Sequence, residues 1–207
     1  MVAPRKIAFL VFPRLTLLDF VGPYDCLRRV RTMGIDAGLQ WQVIATHPEI
    51  VDDSGLTVGF DVVRPPLDDF DLLVVPGGYG VDELRHDADV MAYLQTWGET
   101  RPIASVCSGS LLLGDCDWLR NLPATTHHLR LAQLAPLCGT VEPSQRVVDA
   151  GRVVTAGGVC CGIDLGLHLV EKYWTADARA RIAAQMAIPG ASERMLASGA
   201  NRDELRG

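Results

Sequence analysis

The sequence predicts an α/β fold: a mainly parallel sheet with helices packed on both of its faces. Three observations carry that expectation. Short apolar runs alternate with longer segments of helical character through most of the chain. The runs are bounded by Pro and Gly. No internal repeat, linker or change of composition interrupts the pattern. Strands alternating with helices in this way make βαβ units and a parallel sheet. At 207 residues the chain suits one domain, since a domain takes about 150 residues. Residues 1–190 are read as that domain, and 191–207 as a loose tail or a docked short helix.

The elements follow in order. Ile7–Phe12 is a continuous apolar run stopped by Pro13, short enough to be a buried strand. Gly22 and Pro23 read as the cap and first position of a helix running to about Met33. Trp41–Ala45 is the second strand. Residues 52–55 form a turn between short β-prone stretches, a small hairpin. Asp71–Val75 is the third strand, ended by Pro76-Gly77-Gly78, and a helix covers about Asp87 to Gly98. Pro102–Val106 is the fourth strand. Helical character follows from Ser108 to about Trp118 and again from Leu129 to Leu137. Arg146–Asp149 and Arg152–Thr155 flank Ala150-Gly151 as a hairpin. Gly157-Gly158 leads into a helix from about Val159 to Trp174, and Thr175 caps a last one to about Met186.

Composition excludes several classes. Hydrophobic residues make up 48% and charged residues 21% of the chain, as in globular proteins and unlike disordered ones. The net charge is −6, and no Lys/Arg cluster offsets it, so nucleic acid is not an expected partner. No apolar run nears the roughly 18 residues of a membrane span. The short run after Lys6 lacks the features of a secretory signal. The expected location is cytoplasmic. The six cysteines, Cys26, Cys107, Cys116, Cys138, Cys160 and Cys161, contain no C-x-x-C pair, and reduced thiols are the default there.

In open parallel sheets ligands bind beyond the carboxyl ends of the strands. Three such ends carry unusual chemistry and should converge: Pro76-Gly77-Gly78, Cys107-Ser108-Gly109-Ser110 and Gly157-Gly158. Cys107 ends an apolar strand where small residues begin a helix, the layout of a nucleophile elbow with Cys in place of Ser. Free backbone N–H groups at a helix start favour a thiolate and lower its pKa, to ~3.5–7.5 in reactive cysteines. The competing reading is a buried small hydrophobe. Gly77 and Gly78 let backbone N–H groups face a site and, with the Ser108 N–H, hold developing negative charge. A plain turn is the alternative.

Asp19 lies inside the apolar stretch Leu17–Val21. A carboxyl in such surroundings has a raised pKa and can donate a proton near neutrality. The Thr16-x-x-Asp19 spacing also matches a capping box, although Gly22-Pro23 is the stronger helix start. His127 borders the pocket or is a half-buried satisfied histidine. With His128 on the same strand, the two rings should face opposite ways and share no metal; no metal site is expected. His47-Pro48-Glu49 reads as a loop. Cys160 and Cys161 face different sides of a helix, and Asp164 is either pocket-lining or a first-turn Asp favoured by the helix dipole.

Taken together, Phe12-Pro13, Leu18–Pro23, Pro76-Gly77-Gly78, Ser105–Ser110, Ala124–His127 and Gly157-Gly158 with Gly162–Asp164 resemble the ThiJ/PfpI superfamily, from about Ile7 to Met186. Within it they look most like the isocyanide hydratase branch. The resemblance implies a flavodoxin-like three-layer sandwich of the glutamine amidotransferase-like kind, and a homodimer. It implies Cys107 as nucleophile, Asp19 as acid, and backbone donors near Gly78 and Ser108. The activity implied is addition of water to an isocyanide to give an N-substituted formamide, with no cofactor and with Asp19 assisting both proton transfer and water attack. Other cysteine-dependent hydrolases, amidases or glyoxalase-type enzymes of this fold, and a stand-alone ligand or redox sensor, are the alternatives. Ser108 stands where the branch usually has Thr, and His128 where an aromatic often follows.

Overall fold

A computed structural model describes residues 2–189. The chain opens with β1 (Lys6–Val11), α1 (Leu17–Thr32) and β2 (Gln40–Ala45), then the small strands β3 (Glu49–Val51) and β4 (Thr57–Gly59), and β5 (Leu72–Val75). There follow α2 (Val81–Leu84), α3 (Ala88–Gln95), β6 (Ile103–Val106) and α4 (Gly109–Asp115). The last part holds β7 (Pro123–Ala124), α5 (Leu131–Leu134), β8 (Thr140–Val141), β9 (Val147–Ala150), β10 (Val153–Ala156), α6 (Cys161–Tyr173) and α7 (Ala176–Gln185).

The central sheet has the order β2-β1-β5-β6-β10-β9. The first five strands are parallel, and β9 joins antiparallel through its hairpin with β10. Counting only the parallel strands, the spatial order is second, first, third, fourth, fifth, which is flavodoxin-like. Side chains alternate across this sheet as a two-sided burial demands. On β1, Ile7 and Phe9 pack into the layer of α1, α6 and α7 with Leu27, Leu165 and Ile182. Ala8 and Leu10 pack into the opposite layer with Val81, Leu94 and Leu112 of α2, α3 and α4. The strand order reverses between β1 and β5, so a crevice opens over their carboxyl ends.

Three expectations are corrected. The first helix begins at Leu17, with Pro23 inside it. Pro23 forfeits a helical hydrogen bond, but its ring packs on Gly162 of α6, where an added Cβ would come within 3.1 Å of it. The packing of α1 on α6 therefore decides where the helix runs. The segment Leu129–Leu137 is not one helix but a 3-10 turn, the single turn α5 and a second 3-10 turn, because Pro136 interrupts the ladder. His127 caps the first of those turns instead of lying on a strand, and its ring stacks against His128 with centroids 4.2 Å apart. The turn α2 was not anticipated. The hairpins, the strand-end glycines and the Thr175 cap, whose side chain accepts from the Ala178 N–H, lie where expected. The stretch 191–207 lies outside the described residues.

Candidate active site

Cys107 follows β6 directly and adopts φ +56°. A non-glycine residue in the left-handed region is uncommon, and here it lifts the side chain out of the strand line. The strained backbone is held from both sides. The Cys107 N–H donates to the carbonyls of Ala156 (3.0 Å) and Gly157 (2.9 Å) at the end of β10. Its carbonyl accepts from the hydroxyls of Thr126 (2.9 Å) and Ser110 (3.2 Å). The elbow expected from the sequence is present, fixed by segments far apart in the chain.

The Pro76-Gly77-Gly78 turn after β5 lies against this elbow. A Cβ on Gly77 would sit 2.6 Å from the Ser108 nitrogen and 2.8 Å from the Cys107 Cβ, and Gly78 has φ +134°. Neither position accepts a side chain. The Gly78 N–H donates to Ser108 Oγ at 3.0 Å, and Ser108 Oγ donates to the Gly78 carbonyl at 3.1 Å. The anticipated Gly78 donor is therefore spent on tying the two loops together, and the expectation that it faces substrate is corrected. The Ser108 N–H faces the Cys107 sulfur.

Asp19 comes to the same point from α1. It occupies the third helical position, with its N–H donating to the Thr16 carbonyl at 2.9 Å. Yet neither half of a capping box forms. Thr16 Oγ1 donates to Asp53 at 2.6 Å, the Thr16 N–H donates to the Gly77 carbonyl at 3.1 Å, and both Asp19 carboxyl oxygens are buried without a hydrogen-bond partner of normal geometry. Asp19 is 0% exposed. Burial pushes its pKa up from 3.8 to about 6, with the Asp53 charge adding to the rise, while the Cys107 thiol and the N–H groups of Gly77 and Val159 that face it pull the other way. Burial and the Asp19 carboxylate also push the Cys107 thiol up to about 12. This corrects the expectation of a thiol made acidic by the helix start: α4 is short, and the enclosed, negatively charged surroundings outweigh it.

A cleft of about 270 Å³ opens above the sulfur, lined by Thr16, Asp53, Gly78, Tyr79, Cys107, Ser108, His127, Leu129, Arg130 and Val159. The structure thus brings Cys107, Asp19, Gly77, Gly78, Ser108 and His127 together, with Asp19 and Gly77 behind the sulfur instead of on the cleft wall. Burial and the neighbouring His128 and Arg130 hold the His127 ring below its ordinary pKa. Its Nδ1 accepts from the Leu129 N–H at 3.3 Å. Asp164 pairs with Arg146 in the first turn of α6 and does not line the cleft. Cys160 is exposed and Cys161 buried, on different sides as expected. No group of three or more His, Cys, Asp or Glu close enough to share a metal occurs among the described residues.

Two residues escaped the sequence reading. Val159 has φ +45°, an outlier for a β-branched side chain. That conformation turns its N–H toward both Asp19 and Cys107. The Gly157-Gly158 pair before it was its only signal. Asp53 looked like an ordinary turn residue, and only the docking of the β3–β4 hairpin on the β1–α1 loop, through Arg14 N–H to Val51 O and Asp53 N–H to Leu15 O, brings it to the cleft.

Comparison with known proteins supports this architecture. The model of the DJ-1/PfpI family matches residues 5–172. An isonitrile hydratase of Pseudomonas putida is 32% identical over 168 residues, 81% of this chain and 71% of that protein. An uncharacterised protein of Streptomyces lividans is 30% identical over 65% of this chain and 96% of its own. The crystal structure of a ThiJ/PfpI family protein from Pseudomonas syringae superposes with a TM-score of 0.78 at 27% identity, covering 91% of this chain and 76% of that one. With the family model matching residues 5–172 and a relative 32% identical over 81% of this chain, the chain belongs to the DJ-1/PfpI family.

Proposed function

We propose that this protein is a cysteine-dependent hydratase that adds water to an isocyanide, releasing an N-substituted formamide. The observation that supports it best is the pairing of Cys107 with a fully buried carboxyl that no charged group neutralises and that has no hydrogen-bond partner of normal geometry. An isocyanide carbon becomes a stable product only if it gains both a nucleophile and a proton, and a thiol beside a carboxyl supplies the two together. The likeness to an isonitrile hydratase points the same way.

The reaction starts from a Cys107 thiol whose pKa is raised by burial and by Asp19, beside an Asp19 carboxyl that burial raises to about 6. As the sulfur bonds to the terminal carbon, Asp19 takes the thiol proton and passes it to that carbon. The product is a thioimidate, S–CH=N–R, and Asp19 is again a carboxylate. Water then adds across the C=N bond. The C–S bond breaks, its electron pair returns to sulfur with the proton given up by the new hydroxyl, and the formamide leaves. No step calls for a metal or an organic cofactor. A free-thiol nucleophile suits a reducing compartment, so we place the protein in the cytoplasm. Incubation with a simple alkyl or aryl isocyanide should yield the formamide in the wild type and none in Cys107→Ala. Equal yields from the two would overturn the assignment.

We also propose a homodimer. Leu18 and Val21 of α1 are 40% and 37% exposed, and Val51, Leu56 and Val58 of the β3–β4 hairpin are exposed as well, apolar surface that a second copy would cover. Light scattering should give twice the chain mass, and Leu18→Glu should halve it; a monomeric wild type rejects the dimer.

A further inference from the structure

The second half of that reaction needs a base that can meet water, and Asp19 is badly placed for it. It is 0% exposed and does not line the cleft from which water must come. Among the described residues that do line the cleft, Asp53 is the one carboxylate. The other candidates are occupied. His127 is held neutral, and because its Nδ1 already accepts a hydrogen bond, its own proton sits on Nε2, which makes that nitrogen a donor. The Arg130 guanidinium pairs with Asp82 and Gln133.

Asp53 is also held in place. The preceding Asp52 carboxylate accepts from the N–H groups of Ser54 (2.9 Å) and Leu56 (2.8 Å) and from the Ser54 hydroxyl, which sets the turn. The Asp53 N–H donates to the Leu15 carbonyl at 3.1 Å. Thr16 Oγ1 then orients the Asp53 carboxylate through one oxygen, at 2.6 Å, without neutralising its charge.

We propose that Asp53 is the general base of the hydrolytic step, an inference that rests on the hydratase reading above. Asp53 takes a proton from water as the water oxygen bonds to the thioimidate carbon. The C=N π pair moves to nitrogen, and Asp53 returns the proton there. The elements of one water are added and the carboxylate is restored. The two carboxyl groups thus divide the work: Asp19, behind the sulfur, moves the thiol proton, and Asp53, on the cleft wall, serves the water.

Rapid quenching after mixing with excess phenyl isocyanide, read by intact mass and peptide mapping, tests the division. Asp53→Asn should accumulate the Cys107 adduct, one isocyanide heavier than the protein, at the wild-type rate, while formamide release falls about 10²-fold or more. Asp53→Glu should recover part of the release. Asp19→Asn should form the adduct slowly and accumulate none. Release at the wild-type rate from Asp53→Asn overturns the proposal, as does a loss of adduct formation equal to the loss of release. A wild type that forms neither adduct nor formamide rejects the hydratase reading itself and this proposal with it.

Discussion

Two carboxylates at different places around the same sheet show opposite designs. Asp149, on the outer strand β9, is surrounded by partners: His168 Nε2 at 2.7 Å, Lys172 Nζ at 2.5 Å, and the Gly151 N–H at 2.9 Å. Its pKa is lowered, since hydrogen bonds from Lys172 and His168 outweigh its desolvation. Asp19, at the carboxyl ends of the central strands, is more deeply enclosed, has no hydrogen-bond partner of normal geometry, and has its pKa raised. A satisfied carboxylate contributes to the fold; one left unsatisfied against a thiol detracts from the fold and is poised to exchange a proton. The difference separates scaffold from site without reference to any ligand.

The largest effect should come from the site's sulfur. Cys107→Ala should abolish turnover, by at least ~10⁴-fold for loss of a nucleophile, with the melting temperature nearly unchanged. A melting temperature that falls sharply would make Cys107 part of the scaffold after all.

Asp19→Asn should lose about 10²–10⁴-fold in turnover and yet gain stability at neutral pH. The rise from 3.8 to about 6 corresponds to roughly 3 kcal/mol at about 1.4 kcal/mol per pKa unit. The sign follows from proton uptake. Between these two values the folded state holds the proton more tightly than the unfolded chain, so this contribution is full below 3.8 and is lost as pH rises through about 6. The stability difference between variant and wild type should open over that window in denaturant titrations. The limb of kcat/KM that rises with pH near 6 should vanish in the variant. A destabilised Asn variant with normal turnover would return Asp19 to a structural role.

Asp149→Asn should behave in the opposite way. Turnover should stay at the wild-type level, while stability at neutral pH falls by about 1 kcal/mol, reduced from a buried-pair value because the carboxylate is partly solvated. Its lowered pKa means that the contribution is present above the ordinary carboxylate range and is lost as pH falls through it. A difference that persists unchanged in acid would show that Asp149 acts by packing alone.

Ser108→Ala should give the smallest change. It removes the hydroxyl that joins the elbow to the Gly77–Gly78 turn, for about 1 kcal/mol of stability and a several-fold loss of turnover. Ser108→Thr should restore both, measured by thermal melts and steady-state rates. Failure of Thr to restore turnover would mean that the added methyl obstructs the cleft.

Much of this site was legible because strand ends advertise themselves. An apolar strand stopped by Cys107 and followed by small residues reads as an elbow, and Gly77-Gly78 marks a place where backbone must approach backbone. Asp19 stood out as a charge within an apolar stretch. What misled was local reasoning about helix signals: Gly22-Pro23 looked like a start, and the helix runs through it because α1 packs on α6. The thiol pKa was misjudged for the same reason, since a helix start is visible in sequence and a carboxylate lodged behind the sulfur is not.

The sequence by itself determined the alternation of strands and helices, the strand-end glycines and the candidate nucleophile, because hydrophobic periodicity and turn chemistry act over a few residues. Only the tertiary structure decided which partners those residues have. Asp19 and Cys107 are 88 positions apart, and the carboxyl rises to about 6 because the packed layers exclude water around it. Asp53 reaches the cleft because a hairpin docks on the loop before α1. Burial and long-range proximity arise only when distant segments pack together, and the electrostatics of this site depends on both.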